Sequence, residues 1–180
     1  MSIRTKIQPT GRESPFLEDE VIVSKTDPNG KMMYVNEVFL RVSGFTESEC
    51  LGMPHSMIRH PDMPRGVFKL LWETIQSGKE IFAFVVNMCA NGDHYWVLAY
   101  VTPTFDARGN ITGFHSYRRK PDPRAVAFIE KVYAEMNREE ARHPHPRAAA
   151  EASLALLNRM VEERGTTYPE LMFALWEGRV

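Results

Sequence analysis

Arg59-His60-Pro61-Asp62-Met63-Pro64 is the densest cluster of chemically able side chains in the sequence. Pro61 and Pro64 fix the backbone on either side of Asp62, and Pro64 suits the first position of a helix. Arg59 and His60 then add positive charge to the N-terminal dipole of that helix, a combination that binds anions such as a pyrophosphate. The simpler reading is structural: Asp62 caps the helix and pairs with Arg59, with no ligand. Asn87 is the second candidate. Counting by two along its strand puts it on one face with Ile81, Ala83, Val85 and Cys89. If that face lines the core, the amide needs partners, because an unpaired buried polar group costs about 1–3 kcal/mol. A planar ligand with alternating donors and acceptors satisfies it; an edge position bonded to water or backbone does so equally well. Phe68 and Trp72, one helical turn apart, form an aromatic wall facing the sheet. Such a pair alone is core; together with Asn87 and the Arg59–His60 loop it suggests a stacked aromatic cofactor.

Other chemistries find little support. Six histidines raise metal and haem readings, but no His-x3-His or Cys-x2-Cys pair occurs, so a zinc site is not expected. A haem held by His55 or His60 stays open as an alternative. There is no Gly-x-Ser-x-Gly elbow, P-loop or dinucleotide fingerprint, and neither cysteine has an activating neighbour. No enzymatic activity is expected. Arg118-Arg119-Lys120 ends a strand and reads as a solvated sheet end.

Hydrophobic periodicity supplies the elements that position these residues. Val21-Ile22-Val23 and Met32-Met33-Tyr34-Val35 flank the turn Asp27-Pro28-Asn29-Gly30, a hairpin over 20–35. Asn36 caps a short helix that Gly44 ends, and Thr46 to Glu49 has capping-box spacing. A longer helix runs from Pro64 to Gly78. Strands over 80–89 and 94–104 flank Asn91-Gly92, and a last strand covers 111–119. Both faces of 94–102 are apolar, so each side of the sheet must be covered. Residues 123–141 carry an apolar stripe able to cover the second face. An Ala-rich helix over 147–164 and a short apolar segment over 168–176 follow. This order predicts an α+β fold: a five-stranded antiparallel sheet with helices on one face, plus a C-terminal helical extension.

The 180 residues suit one domain of ordinary size with a small appendage, preceded by a flexible, polar N-terminal arm over 1–19. Lys+Arg 22 against Asp+Glu 23 leaves a net charge of −1, which argues against a nucleic-acid partner. Two cysteines cannot build a disulfide framework, and no apolar run approaches the roughly 20 residues of a membrane span. A cytoplasmic location is expected.

From Asp27 to Lys120 the sequence resembles the flavin-binding PAS domain of bacterial aerotaxis receptors. The resemblance rests on Asn36, Phe39, Ser43-Gly44-Phe45, Gly52-Met53-Pro54-His55 and Arg59 to Pro64, then Phe68, Leu71-Trp72, Gly78, Asn87, Asn91 to Val97 and Thr102-Pro103. It implies a PAS sensor domain over 20–120, a flanking helix over 121–141, and an extension over 142–180 for dimerisation or output. It implies non-covalent FAD, whose redox state reports oxygen or electron-transport status, with FMN, haem b or no cofactor as alternatives. Carried over by position, Asn36, Arg59, His60, Asp62, Phe68, Trp72 and Asn87 are the expected cofactor-binding residues. Two departures matter: Glu80 to Phe84 lacks the Trp–small–Gly run of those receptors, and Met88-Cys89-Ala90 replaces their basic residues. The asparagine–cysteine motif of blue-light LOV domains is missing, so no photochemical adduct is expected. Aerotaxis receptors continue into membrane helices and a chemotaxis signalling domain. Here the signal is expected to leave through a homodimer or a downstream chemotaxis transducer or kinase-type partner. The competing function is a cofactor-free interaction module.

Overall fold

A computed structural model describes residues 7–179. Five strands form one antiparallel sheet: β1 (Ile22–Thr26), β2 (Met32–Val35), β3 (Ile81–Met88), β4 (His94–Phe105) and β5 (Ile111–Arg119). Their spatial order is β2-β1-β5-β4-β3, so the N-terminal hairpin sits beside the last strand. The β1–β2 turn is closed by the Asp27 carboxylate, which accepts from the N–H groups of Asn29 and Lys31. Gly30 is required there twice over. Its φ is +79°, and a Cβ would lie 2.8 Å from the Trp72 ring.

Alternation along the central strands defines two apolar layers. Val85 pairs with Val97, and Ala83 with Ala99, on the inner face; Trp96 and Leu98 point outward. The inner face is covered by α1 (Glu37–Ser43), α2 (Glu47–Cys50), a 3₁₀ turn over His55–Ile58, and α3 (Arg65–Gln76). The outer face is covered by α4 (Pro123–Glu140) and α6 (Tyr168–Trp176). The Tyr133 hydroxyl of α4 donates to the Phe84 carbonyl at 2.6 Å, and Phe173 of α6 packs on Phe82. Between them α5 (Pro146–Glu162) packs against both α3 and α4. The expected α+β fold is present, with helices on both sides of the sheet.

Three expectations change. Residues 7–19 are not loose: Thr10 and Ser14 donate backbone hydrogen bonds to Gly92 and His94, and Phe16 is buried. The rest of the expected arm, residues 1–6, lies outside the described residues. Asp62 does not cap α3; its side chain is 83% exposed and Pro64 is the N-cap. The cap comes from 74 residues away, where the Glu140 carboxylate at the end of α4 accepts from Gly66 N–H at 3.1 Å. Finally, Arg118 is no solvated sheet end. It is 1% exposed, because on β5 it shares the inward face of Phe114 and Ser116.

Candidate functional site

Between α3 and the inner face of the sheet lies a cavity of about 520 Å³. That volume is in the range of small-molecule sites, roughly 300–1,000 Å³. α3 contributes Phe68 and Trp72 to its wall, spaced one turn apart as the sequence indicates. Trp72 meets the Phe114 ring edge-on, with centroids 5.6 Å apart. From the sheet come Val85, Asn87, Ala99, Val101 and Arg118. Arg59 enters from the loop before α3. Its guanidinium stacks 4.3 Å from the Phe68 ring and donates to the Met63 carbonyl at 2.9 Å. Arg59 also pairs in backbone with Asn87, which ties this loop to the free edge of β3.

The polar groups inside are short of partners. Arg118 donates Nη2 to Ser24 Oγ, yet its Nε and Nη1 atoms are buried without a hydrogen bond. Asn87 is 2% exposed and its Nδ2 is likewise unpaired. The Tyr95 hydroxyl lies close to it but outside hydrogen-bonding geometry. Burial pulls the Arg118 pKa down to about 10, so the guanidinium stays charged at neutral pH with no carboxylate lining its cavity among the described residues. Buried unpaired donors of this kind are uncommon and call for an explanation.

The expected site residues divide. Arg59, Phe68, Trp72 and Asn87 meet in the cavity. Asn36, His60 and Asp62 do not line it. The Asn36 side chain is used up locally: Oδ1 accepts from Phe39 and Val23 N–H, and Nδ2 donates to the Val21 carbonyl. The His60 ring is buried against His94, and its Nδ1 accepts from Asp62 N–H at 3.2 Å. Burial lowers the His60 pKa, with Asp62 opposing. Sequence reading missed Arg118 and Ser24, and named His55 only as an alternative haem ligand. Counting by two back from Arg118 to Phe114 was the available signal for the first. The two cysteines, Cys50 and Cys89, are buried, and neither lines the cavity.

A sheet of this strand order cupping short helices over a cavity agrees with comparison to known families, in which residues 32–118 match the PAS fold. Residues 32–118 have a PAS fold. The aerotaxis receptor of Escherichia coli (strain K12) is 37% identical over 128 residues, or 71% of this chain, and the chain spans a quarter of that receptor's length. Two solved PAS-type structures superpose at the level of the fold. The dark structure of the blue-light photoreceptor aureochrome 1 LOV domain gives a TM-score of 0.53 at 22% identity, covering 65% of this chain and 84% of its own. A light-oxygen-voltage domain studied with a flavin analogue gives 0.54 at 20% identity, covering 64% and 87%. Among the described residues of the PAS domain and its extension no helix is long and apolar enough to cross a membrane, and no group of His, Cys, Asp and Glu has metal-site geometry.

One consequence for the PAS domain concerns acid. His55, inside the cavity wall, approaches Ser24 Oγ at 3.3 Å, and burial, reinforced by the Arg118 charge, pushes its pKa down to about 3. The folded ring is therefore neutral over a range where the unfolded ring is protonated. Unfolding takes up a proton between about pH 6.5 and 3, and stability present above pH 6.5 is lost as pH falls through that window. His55→Gln is expected to flatten this acid limb by up to about 1.4 kcal/mol per pH unit. Urea titrations of both proteins at pH 7, 5.5 and 4.5 check this; parallel losses would contradict it.

Proposed function

We propose that the PAS domain holds a flavin nucleotide, FAD in the leading reading, and works as a redox or oxygen sensor that signals to another protein. The observation that carries this reading is the pair of unpaired donors, Arg118 Nε/Nη1 and Asn87 Nδ2, on the wall of a cavity whose apolar lining is supplied by Trp72, Phe68, Phe114 and aliphatic side chains. The donor set fits a flavin ring: flat apolar faces need aromatic and aliphatic walls, and one edge rich in carbonyl and ring-nitrogen acceptors needs donors. Similarity to an aerotaxis receptor, and to a LOV domain studied with a flavin analogue, supports the same reading.

When bound, the flavin supplies electron-accepting chemistry. The protein's own residues grip and report. Arg118 places a fixed positive charge at the acceptor edge, and Trp72 and Phe68 close one face. Asn87 Nδ2 has no hydrogen-bond partner in the protein, so an acceptor on the ligand can re-aim the amide. Its backbone pairs with Arg59 at the edge of β3, so a turn of the amide alters strand packing and the loop that leads into α3. The ligand then shifts the conformational balance by its differential contacts. The C-terminal helices are the output segment, acting through a homodimer or a downstream signalling protein. No cysteine lines the cavity, which favours dark redox chemistry over a photochemical adduct.

The visible spectrum of the purified protein tests this. Flavin bands support it; a Soret band or colourless protein that takes up no added flavin overturns it. Asn87→Ala is expected to weaken flavin retention roughly 2- to 10-fold, the worth of one neutral hydrogen bond.

A further inference from the structure

The cavity opens between α3 and the start of α5, which lies beyond the 32–118 segment matched to the PAS fold. Pro146, Arg147 and Ala150 of α5 form one side of that mouth, and Arg65 and Lys69 of α3 form the other. Five Lys or Arg residues line the cavity and no Asp or Glu does, among the described residues. The three at the mouth are solvated, Arg147 almost fully and Arg65 and Lys69 in part, and are oriented from outside the lining. Arg65 approaches Glu140 at 3.8 Å, Lys69 approaches Glu73 at 2.5 Å, and Arg147 approaches Glu151 at 3.1 Å. α5 is 17 residues long, its N-cap His145 offers no side-chain cap, and its first residue is Pro146. The N–H groups of Arg147 and Ala148 are thus presented at the positive end of a long helix, where anions bind. Deeper in the same cavity, buried Arg118 and Asn87 supply the unpaired donors that mark it as a place built for a ligand.

We propose that this mouth is a phosphate site completed by the C-terminal extension: Arg65 and Lys69 on α3, with Arg147 and the first-turn N–H groups of α5, hold the phosphoryl end of the nucleotide whose ring fills the interior. The assignment of the ring rests on the flavin reading above. Arg118 lies too deep to serve the same end, and the half-buried Arg59, although within range of the Arg65 charge, already has partners for its guanidinium. Arg59 is engaged with Phe68 and Met63, and Arg118 with Ser24. A phosphorylated ligand therefore bridges α3 to α5, whereas a bare ring engages only the PAS core. Occupancy by a nucleotide is felt by the extension directly, without passing through the sheet.

The test uses the full chain stripped of ligand and titrated with riboflavin, FMN and FAD, and in parallel with adenosine and ADP. FMN and FAD are expected to bind at least tenfold more tightly than riboflavin, as charge-assisted hydrogen bonds to a phosphate require. That advantage should shrink with added salt. Arg147→Gln should cost the phosphorylated flavins roughly 2- to 5-fold, since Arg147 is exposed, and leave riboflavin unchanged. Adding Lys69→Gln should bring the loss to roughly tenfold. FMN, and not riboflavin, should slow amide exchange in the first turns of α5. Equal affinity for riboflavin and FMN, or α5 exchange indifferent to the phosphate, overturns the phosphate site while leaving the flavin reading standing. If no flavin binds but ADP outcompetes adenosine in an Arg147-dependent way, the flavin reading falls and the phosphate site stands. If nothing binds, both fall.

Discussion

Arg118→Met is expected to move two observables in opposite directions: the flavin-free protein becomes more stable, and flavin binding collapses. The buried guanidinium carries its full charge at neutral pH with two of its nitrogens unpaired and no carboxylate lining its cavity among the described residues. Taking such a cation out of water costs several kcal/mol, and its contacts with Ser24 Oγ and the Phe39 ring recover only part of that. A methionine of similar length fills the space without the charge. Replacements of this kind are neutral or stabilising by about 1–4 kcal/mol, which at about 2–4 °C per kcal/mol raises the melting temperature by several degrees. Ser24 loses a partner, which trims the gain. With ligand, the sign reverses, because a charged hydrogen bond is worth about 1.5–3 kcal/mol and its loss weakens binding roughly 10- to 150-fold. Thermal unfolding with and without added FAD, for wild type and variant, measures both. An Arg118 that was merely structural would lower the ligand-free melting temperature when replaced and leave retention of flavin untouched; that outcome would sink the assignment.

Gly66→Ala should detach α5. The ideal Cβ at Gly66 would collide with Ser153 Oγ, sit 2.6 Å from the Leu154 amide nitrogen and 3.1 Å from the Ala150 carbonyl. Two of these three neighbours are helix backbone, which cannot turn away as a side chain can. The same crossing holds Glu140, which accepts from both Gly66 N–H and the Ser153 hydroxyl, the latter at 2.7 Å. Overpacking of this type costs about 1–3 kcal/mol. Alanine inside a helix returns about 0.5–1 kcal/mol, so the net loss falls mainly on the α3–α5 contact and not on α3 itself. The expected signature is fast amide exchange across 146–162 with the sheet still protected, together with loss of the discrimination between FMN and riboflavin. Unchanged protection of α5 would show that this contact is dispensable.

These two residues also mark where the sequence is informative. The β1–β2 and β3–β4 turns, the Thr46–Glu49 capping box and the strands were readable because each depends on neighbours a few residues away. Trp72, Phe68 and Asn87 were readable as a wall because helix and strand periods place them on known faces, and the cavity confirms that those faces meet. His60 was read with Arg59 as an anion site, and Asn36 and Asp62, read locally as helix caps, became cofactor residues only by position in a resembling family; Asn36 caps α1 as read, His60 packs on His94, and Asp62 faces solvent. A motif marks a place in the chain, and whether its side chains point at the cavity depends on how the loop is packed.

Arg118 shows the limit from the other side. Period-2 counting from Phe114 puts it on the inner face, but charge at a strand end ordinarily means solvent. Burial was decided by distant parts of the chain: Ser24, 94 residues away on the neighbouring strand β1, accepts from the guanidinium, and the Phe39 ring of α1 packs near it. Likewise the Ala-rich helix over 147–164 carried no sign of which element it packs on; Gly66, small enough for a close crossing, admits it against α3. Side-chain period, turns and most local caps are properties of contiguous chain, and the sequence alone determined them. Which buried charge goes unanswered, which carboxylate caps α3 and which helix closes the cavity depend on surfaces brought together over long chain separations. Only the tertiary structure decided them, because complementarity between layers has no local signature.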